Sequence, residues 1–145
     1  MGVASPGIVL HIEDNPQVRK ALAIVLSIDG YSVTGAVSGP EALELAAQGL
    51  RPDLLIVDFN LDEQMNGAEA AQAMRYTLGY CLPIIMLTAD PSQAQFPWTI
   101  DSLIWLTRKP LNPQLLLGAI PSLVQLSRSL RGLLARASST SPSSP

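Results

Sequence analysis

Apolar residues fall into two kinds of block along this chain: continuous runs of about five, and stretches spaced by three and four. Ile8–Ile12 is a continuous run of the type buried on both faces of a parallel sheet. Asn15-Pro16 then offers an N-cap with proline at the first helical position. Val18, Leu22, Val25 and Leu26 follow at helical spacing, and Asp29-Gly30 supplies the stop. Tyr31–Val37 reads as a second strand and Ser38 to Gln48 as a second helix, closed by Gly49. Asp53–Asp58 is a third strand, Ala68–Leu78 an alanine-rich helix able to approach a sheet closely, and Leu82–Thr88 a fourth strand.

The fourth crossover breaks the rhythm. Residues 89–102 contain Pro91 and Pro97, and proline inside a helix costs about 3 kcal/mol, so at most one or two helical turns are expected there. Leu103–Thr107 is the fifth strand, ended by Lys109-Pro110, and Asn112-Pro113 opens a last helix expected to break or kink near Gly118 and Pro121. Beyond it Leu123, Leu126, Leu130, Leu133 and Ala137 recur at spacings of three and four, too briefly to establish a coiled coil. Alternating strands and helices predict a doubly wound α/β domain with a five-stranded parallel sheet. We expect a domain over residues 1–120, a helical extension over 121–137 and a disordered Ser/Pro-rich tail over 138–145.

Composition adds limits. With 145 residues and 48% apolar content the chain can bury a real core in one domain. No apolar run approaches the roughly 18 residues of a membrane span, and Met1 to Gly7 lack the pattern of a secretory signal. Cys81 stands alone, which fits a reducing cytoplasm and suggests a small core residue. The net charge of −3 hides an asymmetry: residues 1–101 carry −8 and residues 102–145 carry +5. The basic positions of the last stretch lack aromatic interleaving, so they read as a solvated helix face, and nucleic-acid binding is not expected.

The chemistry lies at the strand ends. Glu13 and Asp14 follow the first strand, Asp58 ends the third, Thr88 the fourth, and Lys109 follows the fifth. Apolar strands have no packing use for carboxylates there, whereas ligands bind at that edge of open parallel sheets. Two carboxylates about 4 Å apart repel by roughly 4 kcal/mol at an effective dielectric of 20. A divalent cation removes that penalty, and all-oxygen ligation favours Mg²⁺ or Mn²⁺ over zinc. His11, inside a buried strand, reads as a core residue, and Trp98 and Trp105 as packing residues.

Five stretches in order carry a resemblance: Ile12-Glu13-Asp14, Ile56-Val57-Asp58-Phe59-Asn60-Leu61, Asn66-Gly67, Ile84-Ile85-Met86-Leu87-Thr88-Ala89 and Arg108-Lys109-Pro110. Together they resemble the receiver domain of two-component response regulators over about residues 7–120, with a loop after Asp58 similar to receivers of hybrid sensor kinases. The resemblance implies a flavodoxin-like sheet of order 2-1-3-4-5. It also implies that Asp58 accepts a phosphoryl group from a phosphohistidine on a sensor kinase or phosphotransfer protein. Asp14, Asp58 and the Asn60 carbonyl would ligate Mg²⁺ directly and Glu13 through water. Lys109, the Thr88 hydroxyl and the Ala89 N–H would meet the phosphoryl oxygens.

The sequence departs from that pattern in places. Leu106 stands where receivers commonly carry an aromatic residue that moves with the threonine, and the irregular fourth crossover alters a usual output face. Output through the first helix, or through pairing of two copies at residues 122–137, is therefore expected, the alternative being that the extension folds back on its own domain. The residues after 120 are too few for a helix-turn-helix domain. A non-cycling interaction module is the competing reading, and a small Mg²⁺-dependent enzyme a weaker one. Aspartyl phosphatases usually need a second Asp two residues after the nucleophile, where Asn60 stands, and no Walker-type loop or dinucleotide fingerprint is present.

Overall fold

The computed structural model describes residues 7–61, 65–93 and 103–139. Among the described residues the elements in chain order are β1 (Ile8–Ile12), α1 (Pro16–Ile28), β2 (Ser32–Ala36), α2 (Gly39–Ala47), β3 (Leu54–Asp58), α3 (Gly67–Leu78), β4 (Ile84–Thr88), a 3₁₀ turn (Pro91–Gln93), β5 (Ile104–Arg108) and α4 (Pro113–Ser139). The strands form one parallel sheet in the order β2-β1-β3-β4-β5. The expected α/β class, doubly wound, with this strand order and a long C-terminal helix, is what the chain adopts.

Helix starts follow side-chain chemistry. Asn15 Oδ1 accepts from the N–H groups of Gln17 and Val18, with Pro16 beside it. Asn66 and Glu69 form a reciprocal capping box at α3. Gly79 ends that helix in the left-handed conformation, which costs glycine no steric penalty.

Two apolar layers sandwich the sheet. On one face α2 and α3 cover Leu10, Ile12, Leu55, Val57, Ile84 and Met86. Ala68, Ala70 and Ala71 are fully buried there, so α3 lies close against the strands. On the other face α1 and α4 cover Val9, Leu54, Ile56, Ile85 and Leu87.

Several expectations are corrected. The second strand is shorter than expected, with Tyr31 buried just before it. α4 runs unbroken through Gly118 and Pro121. Pro121 costs the helix a hydrogen bond. Its neighbours Ile120, Leu123 and Val124 are buried in the core on either side, however, and side-chain burial at about 25 cal/mol per Å² keeps the helix continuous through it. Cys81 is exposed, not a core residue. The tail arginines are not a merely solvated face, because Arg128 and Arg131 both pair with Asp53. Of the fourth crossover, the 3₁₀ turn at Pro91–Gln93 is described; Pro97 and Trp98 lie outside the described residues, as does the Ser/Pro tail from residue 140. No helix among the described residues is long and apolar enough to cross a membrane.

Candidate functional site

Parallel strands end together, so residues distant in sequence reach one edge. Ile12 is in register with Val57, and Asp58 with Leu87, which places Glu13, Asp14, Asp58 and Thr88 at neighbouring strand ends. A ligand oxygen from each of Glu13, Asp14 and Asp58 lies within 4.8 Å of the others. Asp58 and Glu13 are buried, whereas Asp14 is exposed and opens the cluster to solvent.

The Asp58 carboxylate is held at both oxygens. Oδ1 accepts from the Asn60 backbone N–H at 3.0 Å, and Oδ2 from Lys109 Nζ at 2.6 Å. Lys109 is carried there by its own backbone, whose N–H donates to the Thr88 carbonyl at 2.9 Å. The turn after β3 is fastened by Phe59 N–H to the Leu87 carbonyl at 2.7 Å and by Gly67 N–H to the Phe59 carbonyl at 2.8 Å. A side chain at Gly67 would lie 2.3 Å from the Asp58 carbonyl oxygen, so only glycine permits this approach.

Around β1, Arg19 Nη1 donates to the carbonyls of Glu13 at 2.7 Å and Asp14 at 3.2 Å, fixing the acidic loop. Thr88 is buried at the end of β4, where its hydroxyl oxygen accepts from the Asp90 N–H at 3.3 Å. Ala89 and Asn60 are exposed beside it, and Leu106 is half-buried against the α2–α3 layer. Every candidate metal- or phosphoryl-binding residue named from the sequence thus sits along or beside this edge, and Leu106 does not.

Electrostatics mark the cluster as under-compensated. Burial, reinforced by the neighbouring Asp58 carboxylate, pushes the Glu13 carboxyl up to about 7. Its Oε2 is buried without a hydrogen-bond partner. Among the described residues, three carboxylates answered by one lysine form an all-oxygen donor set suited to a hard divalent cation, and a buried carboxylate oxygen without a partner fits the same ion.

These features are those of a known family. Over residues 9–120 the chain matches the response regulator receiver domain family. It belongs to that family. Curated relatives include response regulator MprA of Mycobacterium leprae (strain TN), 40% identical over 87 residues, which are 60% of this chain and 37% of the relative. The match therefore spans little more than a third of that protein's length. Among solved structures, a CheY-like receiver domain protein from Methanospirillum hungatei JF-1 superposes with a TM-score of 0.71 at 24% identity, over 86% of this chain and 98% of that one, and shares the fold. The receiver domain of hybrid histidine kinase CckA superposes at 0.67 with 25% identity, over 81% of this chain and 99% of its own. Receiver domains bind Mg²⁺ through acidic residues, and the family's members are generally signalling modules, not enzymes.

Sequence reasoning missed a second cluster at the opposite sheet edge. Asp53, only 1% exposed, accepts from the Ile8 N–H at 2.9 Å and from Arg128 Nη2 at 3.3 Å, and it also pairs with Arg131. Arg131 in turn lies 4.8 Å from the centre of the Tyr80 ring, and the Tyr80 hydroxyl donates to the Pro52 carbonyl. A charged residue at the head of a buried strand was the one signal for it.

Proposed function

We propose that this receiver domain accepts a phosphoryl group on Asp58 from a phosphohistidine of a sensor histidine kinase or phosphotransfer protein and signals through protein contacts. The observation that carries the reading is the Asp58 carboxylate, 2.6 Å from Lys109 and grouped with Glu13 and Asp14. An Asp58 oxygen attacks phosphorus, the phosphorus–nitrogen bond of the donor breaks, and an acyl phosphate forms while the imidazole leaves. Catalysis of this kind rests on positioning and charge neutralisation, with little covalent work for other side chains.

Asp14, Asp58 and the Asn60 carbonyl would hold Mg²⁺, or Mn²⁺, with Glu13 acting through water. When bound, the ion neutralises charge on the carboxylates and on phosphoryl oxygens. Lys109 neutralises the Asp58 carboxylate before transfer and a phosphoryl oxygen after it. The Thr88 hydroxyl and the Ala89 N–H donate to the remaining oxygens. Leu106, in register with Met86 two residues before Thr88, takes the switch position as an aliphatic side chain, without an aromatic ring to turn inward.

The output surface includes α4. Leu123, Val124 and Ser127 face their own domain, which leaves Leu126, Leu133 and Leu134 as the exposed contacts for pairing two copies through residues 122–137. Phosphorylation is tested by incubating the protein with Mg²⁺ and a small acyl-phosphate donor and measuring intact mass. A gain of one phosphoryl group that is absent in Asp58→Ala is expected. No gain with any donor would favour the non-cycling interaction module.

A further inference from the structure

The loop between β1 and α1 carries two of the clustered carboxylates, Glu13 and Asp14, and the two are placed differently. Glu13 is buried, and its N–H donates to the Ala36 carbonyl of β2 at 2.9 Å. Asp14 is exposed, so packing does not aim its carboxylate; the course of its own backbone does. The next side chain, Asn15, is occupied in capping α1. Arg19 holds the peptides in between. From α1 its Nη1 reaches back to the Glu13 carbonyl at 2.7 Å and to the Asp14 carbonyl at 3.2 Å. One charged donor shared by consecutive carbonyls fixes both peptide planes, and with them the direction in which the Asp14 side chain leaves the loop.

That reach depends on the neighbouring strand. Gly35 of β2 is in register with His11 of β1, and a Cβ built there would lie 3.2 Å from Arg19 Cδ and 3.6 Å from its Nε. Glycine weakens a strand and often marks a close approach by another group. The backbone at Gly35 does not adopt positive φ. Space for the arginine stem is therefore what the missing side chain provides.

We propose that Arg19, seated over Gly35, is a positioning residue for the divalent cation of the acidic edge, holding the Glu13–Asp14 backbone so that both carboxylates converge with Asp58 on one ion. This role presupposes that the edge takes Mg²⁺, as proposed above. Electrostatics alone runs the other way, because a guanidinium near the site repels a cation. Removing Arg19 separates the two effects by sign: Mg²⁺ binds more weakly if the residue positions the loop, and more tightly if it acts only as a charge.

The test is calorimetric titration of the full chain with Mg²⁺ in the wild type, Arg19→Met, Gly35→Val and the double variant. R19M is expected to weaken binding about tenfold or more, the usual loss when a group that orients metal ligands is removed. Half-saturating Mg²⁺ for phosphorylation by a small acyl phosphate should rise by the same factor, while the rate at saturating Mg²⁺ stays near wild type. G35V keeps the charge but crowds the arginine stem off its seat, so its affinity should fall toward that of R19M. Valine suits an exposed strand position, so the Tm of G35V should hold or rise, and its lost affinity cannot come from a weakened fold. Added to R19M, G35V should change nothing further, because the two act through one contact. Unchanged or tighter Mg²⁺ binding in R19M, wild-type affinity in G35V, or a further loss from G35V in the R19M background would each overturn the proposal while leaving the Asp58 reading standing. A wild type that takes up no Mg²⁺ would remove the metal site itself, and this role with it.

Discussion

Raising the pH of the metal-free protein from about 4.5 to about 7 should destabilise it, and Mg²⁺ should restore what is lost. The Glu13 carboxyl, ordinarily near 4.5, is pushed up to about 7 in the fold by burial and then by Asp58. Because the folded-state value is raised, the folded protein holds this proton more tightly than the unfolded chain. The associated stability is fully present below about 4.5 and is lost as pH climbs through about 7. A shift of that size corresponds to about 3 kcal/mol, which water reaching the site past exposed Asp14 reduces to about 2 kcal/mol. For a domain of this length that is a fall of about 8 °C in Tm. Thermal melts in EDTA across pH 4.5–8, repeated with Mg²⁺, measure it. Glu13→Gln should flatten the metal-free profile, and Mg²⁺ should raise Tm more at pH 8 than at pH 5. A metal-free Tm that is unchanged or higher at pH 8 in the wild type, with the same profile in E13Q, would refute the reasoning.

Other outcomes follow from single contacts. Asp53→Ala removes the acceptor for the Ile8 N–H and for two half-exposed arginines; unfolding melts should show a loss of about 3 kcal/mol, roughly 10 °C in Tm. Lys109→Met leaves Asp58 without its cation, and the rate of phosphorylation by a small acyl phosphate should drop about 100-fold or more, while calorimetry shows Mg²⁺ binding retained or tightened. Gly67→Ala drives a methyl group into the Asp58 and Phe59 backbone, so denaturant titration should register about 3 kcal/mol of destabilisation together with loss of phosphorylation. Light scattering on the full chain measures pairing through Leu126, Leu133 and Leu134, with a twofold mass expected where two copies associate.

Local patterns are read locally, which is why much was legible. Apolar runs such as Leu54–Val57 and helical spacings such as Leu22 and Leu26 report which faces must leave water, and caps such as Asn15 and Asn66 report where helices start. Carboxylates at the ends of such strands announced the site because parallel strands must finish at one edge. Errors arose wherever a distant partner overruled a local signal. Pro121 reads as a helix break, yet core burial of Ile120, Leu123 and Val124 carries α4 through it. Arg128 and Arg131 read as surface charges until folding brings them onto Asp53, 75 and 78 residues away.

The strands and helices, the existence of a shared acidic edge and the residues able to serve it were thus contained in the chain's own pattern, since backbone state and side-chain facing depend on near neighbours; the strand order was implied by the family resemblance. Tertiary packing alone decided the 2.6 Å approach of Lys109 to Asp58, the raised proton affinity of Glu13 and the clamp at Asp53. Those properties depend on distance and desolvation between segments far apart in sequence, and both quantities exist only once the layers close on the sheet.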